Sequence, residues 1–83
     1  MDPTVYINQP TQVIAVFKNN HCYPAKFYYK NQLITVQEVG LQYPTHSGQK
    51  MLYIFNVSDG QTDYQLEFNA GSLNWKLVAL INV

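Results

Sequence analysis

The side chains of this chain with nucleophilic or metal-binding chemistry are one cysteine and two histidines. His21 and Cys22 are adjacent, and His46 lies in a later segment. A thiolate beside an imidazole is the arrangement of a cysteine nucleophile, and the same three residues offer ligands for zinc. Adjacent residues of an extended segment point to opposite sides, however, and neither a CxxC nor an HxxxH pair occurs. The sequence therefore predicts no catalytic residue and no metal site.

Carboxylates are the other groups that could do acid or base chemistry, and four of the five in the chain are Glu38, Asp59, Asp63 and Glu67. Asp59 belongs to a turn, whereas Asp63 and Glu67 lie on the polar face of a predicted strand. A hydrolase of the two-carboxylate type needs both groups to converge in one pocket, and this spacing does not predict it. The four glycines are dispersed at turns, so no phosphate-binding loop is present. We expect neither an enzyme nor a cofactor.

A binding function would best use Lys26, Tyr28 and Lys30, which alternate along one predicted strand and share its exposed face. Alternating basic and aromatic side chains can neutralise phosphates and stack on a base. An ordinary solvated strand face has the same pattern. The formal charge is zero and the chain has no arginine, which argues against a dedicated nucleic-acid binder.

The 83 residues form a single predicted domain. Seven tyrosines, four phenylalanines and one tryptophan supply the large side chains that so small a core needs. A lone cysteine forms no internal disulfide, which favours a reducing compartment. The first residues carry no basic region and no long apolar run, so we expect no signal peptide, no membrane partner and a cytoplasmic location.

Alternation of apolar and polar residues predicts β-strands. Tyr64, Leu66 and Phe68 share one strand face, with Asp63 and Gln65 on the other. The predicted strands and turns are Val13–Lys18, Ala25–Lys30, a turn at Asn31-Gln32, Leu33–Val39, a loop over Gly40–Gly48, Met51–Val57, a turn at Asp59-Gly60, Thr62–Asn69 and Trp75–Val83. The expected fold is all-β, one antiparallel meander of five to six strands that is either curled into a partial barrel or left as an open sheet. Met1–Gln12 is either a short edge strand or a loose N-terminal segment.

Two of the predicted strands, Met51–Val57 and Trp75–Val83, carry apolar residues on both faces. In the second of these, Trp75, Leu77, Ala79 and Ile81 would share one face. A single sheet covers only one face, so the other would expose a patch made of Leu52, Ile54, Val78 and Leu80. Exposed patches of this kind mark interfaces, and a second copy of the same chain is the simplest cover. The sequence therefore predicts a homodimer, or another protein partner, through these four residues.

Several short motifs resemble a small bacterial all-β domain of unassigned function that occurs beside or fused to Y-family translesion DNA polymerases. They extend over residues 23–82 and are Pro24-x-x-Phe27, Val36-x-Glu38-Val39, Tyr53-x-x-x-Val57, Gly60, Tyr64-Gln65-Leu66 and Trp75-x-Leu77. The resemblance implies a compact antiparallel sheet and a link to DNA repair. The family has a basic residue and an acid where Ala79 and Asn82 stand here, which weakens the implied link.

The function expected from these observations is that of a non-catalytic binding or interaction module that self-associates. The alternative is an accessory nucleic-acid-binding domain linked to DNA repair, which would use Lys26, Tyr28 and Lys30. An enzyme that uses Cys22 with a histidine is the third hypothesis.

Overall fold

The computed structural model describes residues 3–81, which form eight antiparallel β-strands. Their bounds are β1 Thr4–Thr11, β2 Val13–Lys18, β3 His21–Tyr29, β4 Gln32–Thr35, β5 Glu38–Ser47, β6 Lys50–Ser58, β7 Asp63–Asn69 and β8 Asn74–Ile81. The predicted all-β, antiparallel class is confirmed. Within residues 3–81 no helix is long and apolar enough to cross a membrane.

The strands belong to two sheets rather than to one meander. Five strands pair in the order β1-β8-β7-β6-β5, three pair in the order β2-β3-β4, and neither sheet closes on itself. The expectation of a single sheet of five to six strands differs from this arrangement because the chain changes sheets twice. It crosses once at Gln12, between β1 and β2, and again between β4 and β5.

The second crossing divides the segment Leu33–Val39, which the sequence predicts as one strand. The N–H of Val36 donates to the carbonyl of Ala25 in β3 over 2.9 Å, and the N–H of Gln37 donates to the carbonyl of Ser58 in β6 over 2.8 Å. Two consecutive residues thus bond to different sheets. The β-branched residues on both sides of the break favour strand equally, so the pattern contains no sign of it.

The predicted loop over Gly40–Gly48 is wrong, since most of this segment belongs to β5. Pro44 is tolerated because β5 is an edge strand, where a residue needs hydrogen bonds on one side only. A β-bulge interrupts the pairing between Val39 and Gln42. The chain reverses only after Ser47.

Tight turns with positive φ close the two hairpins of the small sheet. Asn19 and Asn20 have φ of 53° and 65°, and Lys30 and Asn31 have φ of 51° and 60°. Two successive left-handed residues are the geometry of a type I′ turn, which asparagine tolerates. The second turn lies one residue before the predicted Asn31-Gln32 step.

The core lies between the two sheets and consists of Phe27, Phe55, Val57, Tyr64, Leu66 and Leu77. Phe27 is the core residue that comes from the small sheet, and none of the surface of Phe27 is exposed. Its ring meets that of Tyr64 edge to face, with centroids 5.0 Å apart. Burying a phenylalanine contributes about 1.5–3 kcal/mol, so this side chain is a main attachment between the sheets. Leu66 and Leu77 are buried as expected, while Phe68 and Trp75 are half-buried against the same core.

A β-bulge changes which residues of β8 face the core. Gln65 pairs with Ala79 but the next residue, Leu66, pairs with Leu77, so Val78 is the extra residue. Leu80 pairs with Tyr64 and packs against the core. The expected faces of β8 are therefore wrong beyond Leu77, because a bulge shifts the alternation by one residue.

The first strand is an edge strand of the larger sheet. β1 pairs with β8 from Thr4, opposite Ile81, to Thr11, opposite Trp75. The last predicted strand reaches Val83, and its final two residues lie outside the described range.

Candidate functional site

The outer face of the small sheet carries an exposed apolar cluster around Lys26 and Tyr28. Lys26 lies between Ile14 of β2 and Thr35 of β4, and Tyr28 lies opposite Leu33 of β4. Ile14 is 52% exposed, Tyr28 45% and Leu33 43%. Together Ile14, Lys26, Tyr28 and Leu33 form a surface named here the outer patch. Phe27, the residue between Lys26 and Tyr28 on β3, points to the core.

Lys30 does not join this patch, although the alternation of the sequence places it there. β3 ends at Tyr29, and Lys30 is the first residue of the turn that follows. Its Nζ lies 5.4 Å from the ring centroid of Tyr29, and that ring packs against Tyr64 with centroids 6.5 Å apart. The structure therefore brings together two of the three predicted binding residues.

The four residues predicted for self-association do not form an exposed patch. Leu52 and Ile54 are only 8% and 7% exposed. On their face of the sheet Ile54 lies between Tyr43 of β5 and Glu67 of β7, so long neighbouring side chains cover it. Val78 lies at the bulge and Leu80 packs against the core, as described above. The premise of that prediction fails, while self-association itself stays a prediction.

A groove of about 570 Å³ opens between the end of the β2–β3 hairpin and the larger sheet. Phe17 forms the hairpin side, and Tyr53, Phe55 and Phe68 form the sheet side. Phe17 is 74% exposed, which is unusual for a phenylalanine in a strand that otherwise faces a core. The groove, named here the hairpin groove, also has Lys18 and His21 in its lining. The sequence does not predict this groove, because Phe17 has the pattern of one more apolar strand residue.

Cys22 lies in the hairpin groove opposite Phe17 in the β2–β3 pairing. Burial raises the pKa of its thiol, which is the opposite of what an activated nucleophile needs. His46 lies in β5 opposite Met51 and is not part of the groove. Within residues 3–81 no three His, Cys, Asp or Glu side chains are grouped to hold a metal ion.

Two of the four carboxylates, Asp59 and Glu67, have contacts that stabilise the fold. Both oxygens of Asp59 accept hydrogen bonds within the β6–β7 turn, and the N–H groups of Thr62 and then Gln61 hold the pKa of this carboxyl below its ordinary value. Glu67 pairs with Lys76 over 3.8 Å. Glu38 and Asp63 lie on opposite sides of Ser58 in β6, and both line a small open groove of about 290 Å³.

A further, wider groove of about 880 Å³ lies at the larger sheet and is lined largely by polar residues, most of them in strands. Leu73 is part of its lining and is 71% exposed. Its φ of 61° is in the left-handed region, which a leucine rarely adopts. The turn around it is held by the side chain of Asn69, whose Oδ1 accepts from the N–H groups of Gly71 and Ser72 over 2.9 and 3.2 Å.

Comparison with known proteins found no match: no family model, no curated protein and no solved structure is similar to this chain. The resemblance to the domain associated with Y-family polymerases stays a prediction.

Proposed function

We propose that this protein is a non-catalytic interaction module that self-associates through the outer patch. The observation that carries the proposal is the exposure of Ile14, Tyr28 and Leu33, at 52%, 45% and 43%, on one face of a three-stranded sheet. Contiguous exposed apolar side chains on a small domain are typical of an interface.

A second copy of the chain is the proposed occupant. The formal net charge is zero, so two copies do not repel each other over long range. A two-fold axis lets one patch cover its own copy. The one charged residue of the patch, Lys26, can lay its aliphatic stem on the apolar surface while its ammonium group stays at the rim.

The chemical groups outside the patch support a non-catalytic role. The raised pKa of Cys22 keeps its thiol protonated at neutral pH. Asp59 is occupied by its turn and Glu67 by Lys76. These side chains have structural roles that do not require a reaction.

Light scattering tests the proposal. The wild type should have twice the chain mass at micromolar concentration. Tyr28→Lys should have the mass of one chain, because it removes the apolar ring and adds a second ammonium group beside Lys26, so that the two copies would repel each other. Tyr6→Lys is the matched control, since Tyr6 is 71% exposed in β1 and lies outside the patch. A monomeric wild type, or an equal effect of both substitutions, would contradict the proposal.

Single-stranded nucleic acid is the second candidate partner, favoured by the presence of Lys26 and Tyr28 on one exposed face. Stacking on a tyrosine contributes about 1–3 kcal/mol per base. With one lysine in the patch we expect weak, salt-sensitive binding of a labelled oligonucleotide in fluorescence polarisation. Tyr28→Ala should abolish it and Tyr6→Ala should not. Tight binding at physiological salt would make this the leading function.

A further inference from the structure

The hairpin groove lies apart from the outer patch, at the end of the small sheet where its hairpin stands over the larger one. We propose that it binds a flat aromatic molecule that carries one carboxylate. Three observations carry this proposal: aromatic side chains on both sides of the groove, the exposure of Phe17, and the sign of the charge in the lining.

Aromatic side chains flank the groove from two different sheets. Phe17 comes from β2, and Tyr53 and Phe68 come from β6 and β7. Phe55 also lines the groove, but only 1% of its surface is exposed. A volume of about 570 Å³ is within the usual range for small-molecule sites, roughly 300–1,000 Å³. A flat aromatic ligand placed between these rings would gain contacts on both of its faces.

Phe17 is the side chain that such a ligand would cover. It is 74% exposed, although it points to the same side of the hairpin as the half-buried Cys22 opposite it. The small sheet stands away from the larger one here, because the core residues that join the two sheets, such as Phe27, lie toward the other end of the hairpin. An occupant of the groove would remove from water apolar surface that the protein itself leaves exposed.

The charge of the lining decides which aromatic molecule fits. Lys18 and His21 are the basic residues of the lining, and they pair with each other beside the hairpin turn, where the long stem of Lys18 lets its ammonium group reach the mouth of the groove. No Asp or Glu is among the described residues that line the groove. Gln42 adds an amide at the opposite side. An ammonium group beside an apolar wall favours an anion and disfavours a cation. A carboxylate attached to the ring system meets both requirements.

Trp75 and Cys22 are each the sole residue of their type in the chain, and both can be used to detect a ligand in the groove. The ring centroid of Trp75 lies 5.4 Å from that of Phe55 and 4.7 Å from that of Phe68, so its indole contacts two residues that line the groove. Its indole N–H therefore gives one NMR signal that should respond to occupancy. Cys22, the one cysteine, lies in the lining, so its alkylation by iodoacetamide should slow when the groove is filled.

The test uses 2-naphthoate as the probe and the intact chain. The indole signal of Trp75 should shift saturably with a Kd below about 1 mM, and 2-naphthoate should protect Cys22 from alkylation. Phe17→Ala should raise the Kd by about fivefold or more, the value of one aromatic contact. Tyr6→Ala removes an equally exposed aromatic ring from β1 and should leave the Kd unchanged.

The charge requirement has its own comparison. Lys18→Gln should weaken 2-naphthoate by about threefold, the value of one exposed ion pair, and should leave the uncharged 2-naphthamide unaffected. A Kd that does not change in Phe17→Ala, or an indole signal that does not move up to the solubility limit of the probe, would overturn the proposal. So would a wild-type dimer that Phe17→Ala converts to a monomer, since a second copy would then fill the groove.

Discussion

The hydroxyl of Tyr64 donates a hydrogen bond to Oδ2 of Asp59 over 3.0 Å. The other carboxylate oxygen of Asp59, Oδ1, accepts from the N–H of Thr62 over 2.7 Å and from that of Gln61 over 2.9 Å. The ring of Tyr64 in turn packs on Phe27 in the core. One carboxylate thus fixes the β6–β7 turn and ties it to the contact between the two sheets.

Removing this carboxylate should destabilise the whole domain rather than the turn alone. Asp59→Ala leaves two N–H groups and one hydroxyl without their acceptor, and we expect a loss of about 1–2 kcal/mol, measured as a lower urea midpoint. Tyr64→Phe removes one of the three hydrogen bonds and should cost less. Equal midpoints for wild type and Asp59→Ala would show that the turn forms without its cap.

The same carboxylate should make stability depend on acid pH. Its pKa is lowered in the folded state by the N–H groups of Thr62 and Gln61, so its contribution is complete above the ordinary pKa of about 4 and is lost as the pH falls through the lowered value. The melting temperature of Asp59→Asn should therefore approach that of the wild type as the pH is reduced below about 4. A constant difference between the two proteins down to the lowest pH would exclude this linkage.

Leu73 should be a site where substitution increases stability. A leucine with φ of 61° pays a steric cost that glycine does not, so Leu73→Gly should stabilise the protein by about 0.5–1 kcal/mol in urea unfolding. Leu73→Ala keeps the Cβ atom and serves as the control, with no gain expected. If alanine and glycine raise stability equally, exposure of the leucine side chain rather than its backbone is the cause.

Leu80 should behave as a core residue and not as an interface residue. It packs against Tyr64 and its neighbours in the core, so Leu80→Lys should cost about 2 kcal/mol or more of unfolding free energy. The matched substitution Leu41→Lys, at a residue that is 58% exposed, should cost little. A Leu80→Lys protein with unchanged stability would mean that Leu80 does not pack against the core.

Those elements whose local pattern agrees with their final environment could be predicted from the sequence. The sequence predicts a strand over Val13–Lys18, and these are the bounds of β2. The chain also turns at Asp59-Gly60, as these two residue types predict. β5 was missed because Gly40 and Pro44 are typical of loops, and only its position at a sheet edge makes them acceptable. The bulge at Val78 leaves no mark on the sequence pattern, since it depends on how β8 pairs with β7.

The candidate sites divide in the same way. Lys26 and Tyr28 alternate within a strand, so their shared face could be predicted from spacing alone. Lys30 was misplaced because the turn begins one residue earlier than expected. The role of Phe17 depends on how far the hairpin extends over the other sheet, which is a long-range property that no window of the sequence contains.

The pairing of β1 with β8 has a consequence for the order of folding. Residues at opposite ends of the described chain, Thr4 and Ile81, are neighbours in one sheet, whereas β5 to β8 follow one another as successive hairpins. Closing the longest loop costs the most chain entropy. The contacts between β1 and β8 offset this cost only once both strands are in place. The hairpins of β5 to β8 should therefore form first, and β1 should be the last strand to join this sheet.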